Sequence, residues 1–315
     1  MFINRKLNNL ITFKIEMQQE LDSIRLNFDS ESLFFLNLTL AVIMFGVALN
    51  IRIDDFLRVL KNPKSVIVGF LSQFILLPAV TFLLVLLIKP IPSIALGMFM
   101  VAACPGGNIS NFMSNYANGN TALSVSLTAI ATLMAIIMTP FNFQFWSSFY
   151  EPTSSLVHSI SLSPFEMAKV ISLLLGLPLL LGMLVRNYFP KFADKTSSFF
   201  KLGSILFFII LIFLALYKNI AIFEKYIHYV FFIVFIHNLL ALTLGYNVAS
   251  LTRLSKQNKR TLAIETGIQN SGLGLLLIFS FFDGLGGMAL LAAFWGIWHM
   301  VSGLFLATYW SKKQI

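Results

Sequence analysis

Nine apolar stretches, each long enough to cross a bilayer as a helix, follow one another from residue 33 to residue 310. They lie near 33–50, 65–88, 92–117, 120–146, 165–188, 200–222, 227–251, 258–281 and 286–310, and a membrane's hydrocarbon core takes about 20 helical residues to span. Of the 315 residues, 57% are hydrophobic and 11% are charged, with 33 Phe among them, whereas soluble domains carry about 25% charged residues. A soluble fold of this length has no interior large enough for that much apolar surface, so lipid must be part of the solvent. The expectation is an all-α integral membrane protein of about nine transmembrane helices. Residues 1–32 form a polar segment of mixed charge, with Arg5, Lys6, Lys14 and Arg25 set against Glu16, Glu20, Asp22, Asp29 and Glu31. Its longest apolar run, residues 10–13, is too short for the core of a secretory signal.

The net charge of +9 would suggest nucleic acid in a soluble protein, but that reading needs cations gathered on one face with aromatic side chains between them. Here the cations alternate between connections. Odd-numbered connections hold Arg52, Arg58, Lys61 and Lys64; Arg186, Lys191, Lys195 and Lys201; Arg253, Lys256, Lys259 and Arg260. Even-numbered ones hold only Lys89, Lys218 and Lys225. Positive charge accumulates on the cytoplasmic side of membrane proteins. The odd connections and the C-terminus, with Lys312 and Lys313, are therefore expected inside and the N-terminus outside, in the cell membrane (the inner membrane if the source is bacterial). No nucleic-acid partner is implied. The single cysteine, Cys104, excludes a disulfide within the chain and reads as a small buried residue.

Two of the nine stretches break the rules of a lipid-exposed helix. The third contains Cys104-Pro105-Gly106-Gly107-Asn108-Ile109-Ser110-Asn111, and Pro-Gly-Gly does not continue a regular helix. The eighth contains Glu265-Thr266-Gly267-Ile268-Gln269-Asn270-Ser271-Gly272, with a carboxylate and two amides at membrane depth. Each alone has a plainer explanation, a kink in one case and a carboxylate reaching water in the other. Together they occupy matching places in two halves, each followed by one further stretch, and they run in opposite directions. Backbone freed at such breaks has to be buried in protein or line a cavity. The pattern points to an inverted repeat with two broken helices crossing near the midplane, where secondary transporters hold substrate and ions.

Around the breaks stand oxygen ligands. Ser124 and Thr128 share one helix face, as do Glu265 and Gln269, and Gln73 sits deep in the second stretch. Hydroxyl, amide and backbone oxygens with one carboxylate suit a hard cation such as sodium, since soft metals take Cys or His. Serine and threonine in membrane helices also bond their own backbone or a neighbouring helix. His237 reads as a packing histidine, while His299 reads equally as packing or as cavity wall. An enzyme would need a nucleophile with its base, or a cluster of metal ligands, and neither pattern is present in the sequence. A carrier driven by protons, with Glu265 as the titrating group, stays open as an alternative, as does an exchanger of the same plan; a membrane enzyme or sensor is the weaker reading.

At these residues the sequence resembles the bile acid:sodium symporter family. The resemblance runs from about residue 33 to the C-terminus and rests on residues 104–111, on Gly119-Asn120-Thr121-Ala122-Leu123-Ser124-Val125 with Thr139-Pro140, and on residues 265–272. Met44-Phe45-Gly46, His237-Asn238 and Trp298-His299 support it. It implies a first sodium site at Ser110, Asn111, Ser124, Thr128 and Glu265. The second would use Gln73, Glu265, Gln269 and the carbonyls of Thr266 and Ile268. Substrate contacts would come from Asn108, Asn270 and His299, beside helix breaks at Pro105, Gly106, Gly107 and Gly267. It further implies a panel domain of residues 33–60 and 165–222 and a core domain of residues 64–146 and 227–311. The helix count is like that of the family's nine-helix animal members rather than its ten-helix bacterial ones. Asn108 stands where the family commonly has Thr, and Met300 where some relatives have Asn. The function implied is sodium-coupled import of an organic anion, bile-acid-like or a small carboxylate such as pantoate, by alternating access. Sodium would be the coupling ion, with no other cofactor.

Overall fold

Proline and polar residues decide where the apolar stretches start and stop as helices. A computed structural model describes residues 20–26, 30–51, 63–160 and 163–313. Twelve helices fall wholly among the described residues, in order: α1 (Ser30–Ala48), α2 (Pro63–Ile88), α3 (Pro92–Ala103), α4 (Ile109–Tyr116), α5 (Thr121–Phe149), α6 (Glu151–Ile160), α7 (Pro164–Tyr188), α8 (Pro190–Lys218), α9 (Ile220–Leu251), α10 (Lys256–Gly267), α11 (Ser271–Phe281) and α12 (Gly286–Ser311). Among the described residues there is no β-strand. Five helices (α2, α5, α7, α9 and α12) are individually long and apolar enough to cross a membrane, while α3, α11 and residues 33–48 of α1 are shorter apolar helices. The chain is a multi-pass, all-helical membrane protein.

The third and eighth apolar stretches are each divided in two, α3 from α4 and α10 from α11. Proline, whose fixed φ suits a first helical turn, opens α2, α3, α7 and α8. Two boundaries differ from the hydropathy reading. Helix α8 begins ten residues before its apolar run, at Pro190, and its first turns hold the exposed Lys191 and Lys195, which lower the hydropathy there. The run read as 200–222 crosses the turn at Asn219, so its last residues belong to α9. Helix α6 lies wholly within a connection that hydropathy leaves unassigned. Arg52, Arg58 and Lys61 lie outside the described residues, as do residues 1–19 of the polar segment.

Helix α1 packs on α7 and α8, while α3 lies among α2, α5 and α12, and α9 runs along α10. The large cluster at the centre includes Phe99, Phe143 and Trp295, all fully or almost fully buried.

Hydrogen bonds identify the two ends of the bundle. At one end the backbone of Ile24 and Leu26 pairs with the turn at Gly284 to Gly286, Asp22 Oδ1 accepts from Ser93 N at the start of α3 (3.0 Å), and Glu20 receives Lys225 Nζ at 2.6 Å. At the other, Arg260 donates to the carbonyls of Ala117 (2.8 Å) and Trp310 (3.1 Å). There too Asn258 Nδ2 donates to Ser65 Oγ (2.9 Å) and accepts at Oδ1 from Asn120 Nδ2 (2.9 Å).

Candidate ion and substrate site

The two helix breaks meet. Gly107 N donates to Ile268 O at 2.7 Å and Asn270 N to Pro105 O at 2.8 Å, so Gly106 and Gln269 pair as a single antiparallel bridge inside a helical protein. Backbone groups released by the interruption of α3–α4 are thereby satisfied by those released between α10 and α11. The approach leaves no room for a side chain at residue 107, where a Cβ would lie 2.8 Å from Gln269 O. Asn120 and Asn270 cap α5 and α11, each accepting at 3.0 Å from the backbone N–H three residues on.

Five of the expected ligands converge on one point. Glu265, on the last turns of α10, accepts at Oε1 from Ser110 Oγ of α4 (2.6 Å) and from Ser124 Oγ of α5, and at Oε2 from Thr128 Oγ1 of α5 (3.1 Å). Asn111 Oδ1 of α4 lies 2.9 Å from Ser124 Oγ and 3.1 Å from Thr128 Oγ1. Ser110, Ser124, Thr128 and Glu265 are buried. The three hydroxyls have one proton each, yet Ser124 and Thr128 each face two acceptors. Five oxygen–oxygen contacts therefore share three hydroxyl protons, and the remaining lone pairs of Ser110, Ser124 and Thr128 gather around the Glu265 carboxylate. Among the described residues no group of three His, Cys, Asp or Glu is placed to hold a soft metal.

The second expected set is also brought together, in a different state. Gln73 lies in a π-helical turn of α2, Ser72–Leu76. Its Nε2 donates to Gln269 Oε1 and to Cys104 O (2.8 Å each), and Gln269 Nε2 donates to Gln73 Oε1 (3.2 Å) and Thr266 O (2.7 Å). The two amides thus bind one another, and Ile268 O is taken by Gly107 N. Beside them a void of about 20 Å³ is bounded by Gln73, Gly106, Glu265 and Thr266, which is room for one water-sized body.

Asn108, Asn270 and His299 share a crevice of about 90 Å³ that α1 closes with Leu40 and Ile43. Asn108 Oδ1 and His299 Nδ1 are buried without a hydrogen-bond partner. His237 is elsewhere, bonded to Thr81 at 2.7 Å and edge-on to Trp295; it packs. Sequence reasoning gave Asn238 only a supporting place. Its Nδ2 donates to Gly267 O at 2.8 Å, holding the end of α10 at the break. An amide in the middle of an apolar helix was the available signal.

The model of the sodium bile acid symporter family matches residues 37–225. The chain belongs to this family. An uncharacterized sodium-dependent transporter of Bacillus subtilis, YocS, is 33% identical to this family member over 293 residues, 91% of this chain and 88% of the relative. The human ileal sodium/bile acid cotransporter is 30% identical over 240 residues, 76% of this chain and 67% of the relative. A probable chloroplastic sodium/metabolite cotransporter of rice, BASS2, is 30% identical over 238 residues, which cover 76% of this chain and 55% of that longer protein. Membership makes the chain a transporter rather than an enzyme.

Proposed function

We propose that this sodium-dependent transporter is a symporter that binds sodium at Glu265 and imports an organic anion by alternating access. The observation that carries the reading is the oxygen cluster at Glu265, where one buried carboxylate, one amide oxygen and three hydroxyls converge from α4, α5 and α10. One cation there would be held by Ser110, Asn111, Ser124, Thr128 and Glu265. A second would enter the void between Gln73, Glu265 and Thr266, where the Gln73–Gln269 amide pair has to open to admit it. Two sodium ions offset Glu265 and one substrate carboxylate, leaving the loaded site near neutral. Without sodium the carboxylate is uncompensated, which disfavours closing α1, α7 and α8 over it; ligand binding shifts the equilibrium by its different affinity for the two states. In this reading α1, α7 and α8 are the panel, the remaining spans are the core, and the crossing breaks relate two inverted repeats across nine spans.

The relatives' names, sodium/bile acid and sodium/metabolite cotransporter, support an organic anion as cargo. The crevice at Asn108, Asn270 and His299 would take its charged end. At about 90 Å³ it suits a headgroup or a small carboxylate such as pantoate, since pockets that enclose whole drug-sized ligands run to about 300–1,000 Å³. The test is thermal unfolding of the purified protein in sodium and in choline, with and without a panel of organic anions. Sodium should stabilise the protein, more so with a substrate present, by mass action. Glu265→Gln should unfold normally in choline and lose the sodium increment together with sodium-driven uptake. A variant that keeps both would remove Glu265 from the site. Anion uptake driven by a pH gradient in sodium-free buffer would favour proton coupling instead.

A further inference from the structure

We propose that the groove between α9 and α12 holds one acyl chain of an anionic phospholipid, with the headgroup at the end marked by Tyr246 and Trp310. This groove is separate from the ion cluster and the anion crevice and measures about 570 Å³. Its walls include Phe235, Leu239 and Tyr246 of α9 and Trp298, Val301 and Phe305 of α12. Val301 and Phe305 are 54% and 76% exposed. On a spanning helix, apolar side chains exposed to that degree face the bilayer, so hydrocarbon is the solvent that fills the space between them.

Length argues for one lipid chain. Phe235 and Tyr246 are eleven residues apart on a continuous helix, a rise of about 17 Å. Half of a bilayer's hydrocarbon core is about 15 Å. The groove therefore runs the depth of one leaflet, from near the midplane to the interface.

Charge argues for an anionic head. At the Tyr246 end the ring stacks on Trp310 with centroids 5.8 Å apart, the arrangement of an interfacial aromatic belt. The Arg260 guanidinium lies 5.9 Å from the Trp310 ring centre and Lys313 Nζ lies 4.2 Å from that of Tyr309. Residues 239–264 and 300–315 carry Arg253, Lys256, Lys259, Arg260, Lys312 and Lys313 and no Asp or Glu. Arg260 is engaged with backbone carbonyls, so it supplies field, while Lys312 is exposed and Lys313, also exposed, holds its Nζ at the Tyr309 hydroxyl beside the groove's end. Cations at a membrane surface favour acidic lipids over zwitterionic ones.

The floor of the groove gives the lipid a consequence. Ser302 Oγ donates to Asn238 Oδ1 at 2.5 Å, and Asn238 in turn holds Gly267 O at the helix break. A chain lying on this wall braces the residues that position Glu265.

The experiment compares phosphatidylglycerol and phosphatidylcholine of identical acyl chains, added to the intact protein in neutral detergent. Thermal unfolding and native mass spectrometry are the readouts. Phosphatidylglycerol should raise Tm by about 5 °C more than phosphatidylcholine, with one molecule retained per chain. Val301→Trp, which fills the groove, should lose the retained lipid, and Lys312→Gln with Lys313→Gln should erase the difference between the two lipids. Equal stabilisation of the native protein by both lipids overturns the proposal, as does undiminished retention in Val301→Trp. A dimer broken by Val301→Trp would assign the groove to a second copy of the chain instead. Should the tryptophan variant fail to fold, the paired glutamine variant decides alone.

Discussion

Ser124 and Thr128 lie one helical turn apart, and each faces both a carboxylate oxygen of Glu265 and the amide oxygen of Asn111. A hydroxyl can donate to only one of them, so its lone pairs are left facing the interior of the cluster, where a cation would use them. Ser124→Ala removes one oxygen without leaving a buried group unpaired, because Glu265 retains Ser110 as donor and Asn111 retains Thr128. An interaction with a charged partner is worth about 1.5–3 kcal/mol. Ser124→Ala should therefore raise the half-saturating sodium concentration about tenfold or more while the maximal uptake rate changes little. An unchanged sodium titration would detach Ser124 from the ion. These residues were legible in the sequence because polar groups inside apolar stretches are expensive and so signal a site. Asn238 and Arg260 were less legible, since each acts by capturing carbonyls of the fold, at Gly267 in one case and at Ala117, 143 residues away, in the other. Their partners exist only once the helices have packed.

The crossing of the two breaks depends on glycine at one particular contact. A Cβ on residue 107 would stand 2.8 Å from the carbonyl oxygen and 3.2 Å from the carbonyl carbon of Gln269, both rigid backbone, so relief requires the breaks to separate. Overpacking of that kind destabilises by about 1–3 kcal/mol. Gly107→Ala should lower Tm by about 5 °C and weaken sodium stabilisation with it, because the same separation moves Ser110 away from Glu265. Gly203→Ala is the control. Nothing lies within 4 Å of its added methyl, and alanine is the better helix former, so its Tm should hold or rise. If the two variants unfold alike, the contact at residue 107 is not holding the breaks together. Pro-Gly-Gly and the polar run from Glu265 made both breaks readable in advance, because they combine helix-breaking residues with groups that lipid does not solvate. The π-helical turns at Ser72–Leu76 and Ser172–Gly176 were not readable. They sit just before Pro78 and Pro178 inside uninterrupted apolar runs, and hydropathy does not register an extra residue in a turn. Helix α6 escaped for the opposite reason, since Glu151–Ile160 mixes polar and apolar residues outside any apolar run.

Across the whole molecule, charge divides between the two ends. One end brings together Asn120, Asn258, Arg260, Trp310 and Lys313 by hydrogen bonds and so gathers Lys64, Arg253, Lys256, Lys259, Lys312 and their neighbours. The opposite end holds Glu20, Asp22, Lys225 and Asp283 around the residue 20–26 segment, with both signs represented. Hydropathy and charge alternation along the sequence anticipated this division without knowing which helices are neighbours, because orientation is governed by the ends of spans rather than by their packing. The prediction is that the first end faces the cytoplasm. Cys104 is fully buried, so the native chain gives little background with a membrane-impermeant maleimide and single introduced thiols can be read directly. Glu151 follows α5, which starts at the basic end, and it is exposed at the far one. Glu151→Cys should label in intact cells, and Lys312→Cys should label only after the membrane is permeabilised. The reverse pattern would turn the molecule over. The crossing breaks would keep their geometry and the sodium gradient would still set the direction of transport, but the basic end would then face outward.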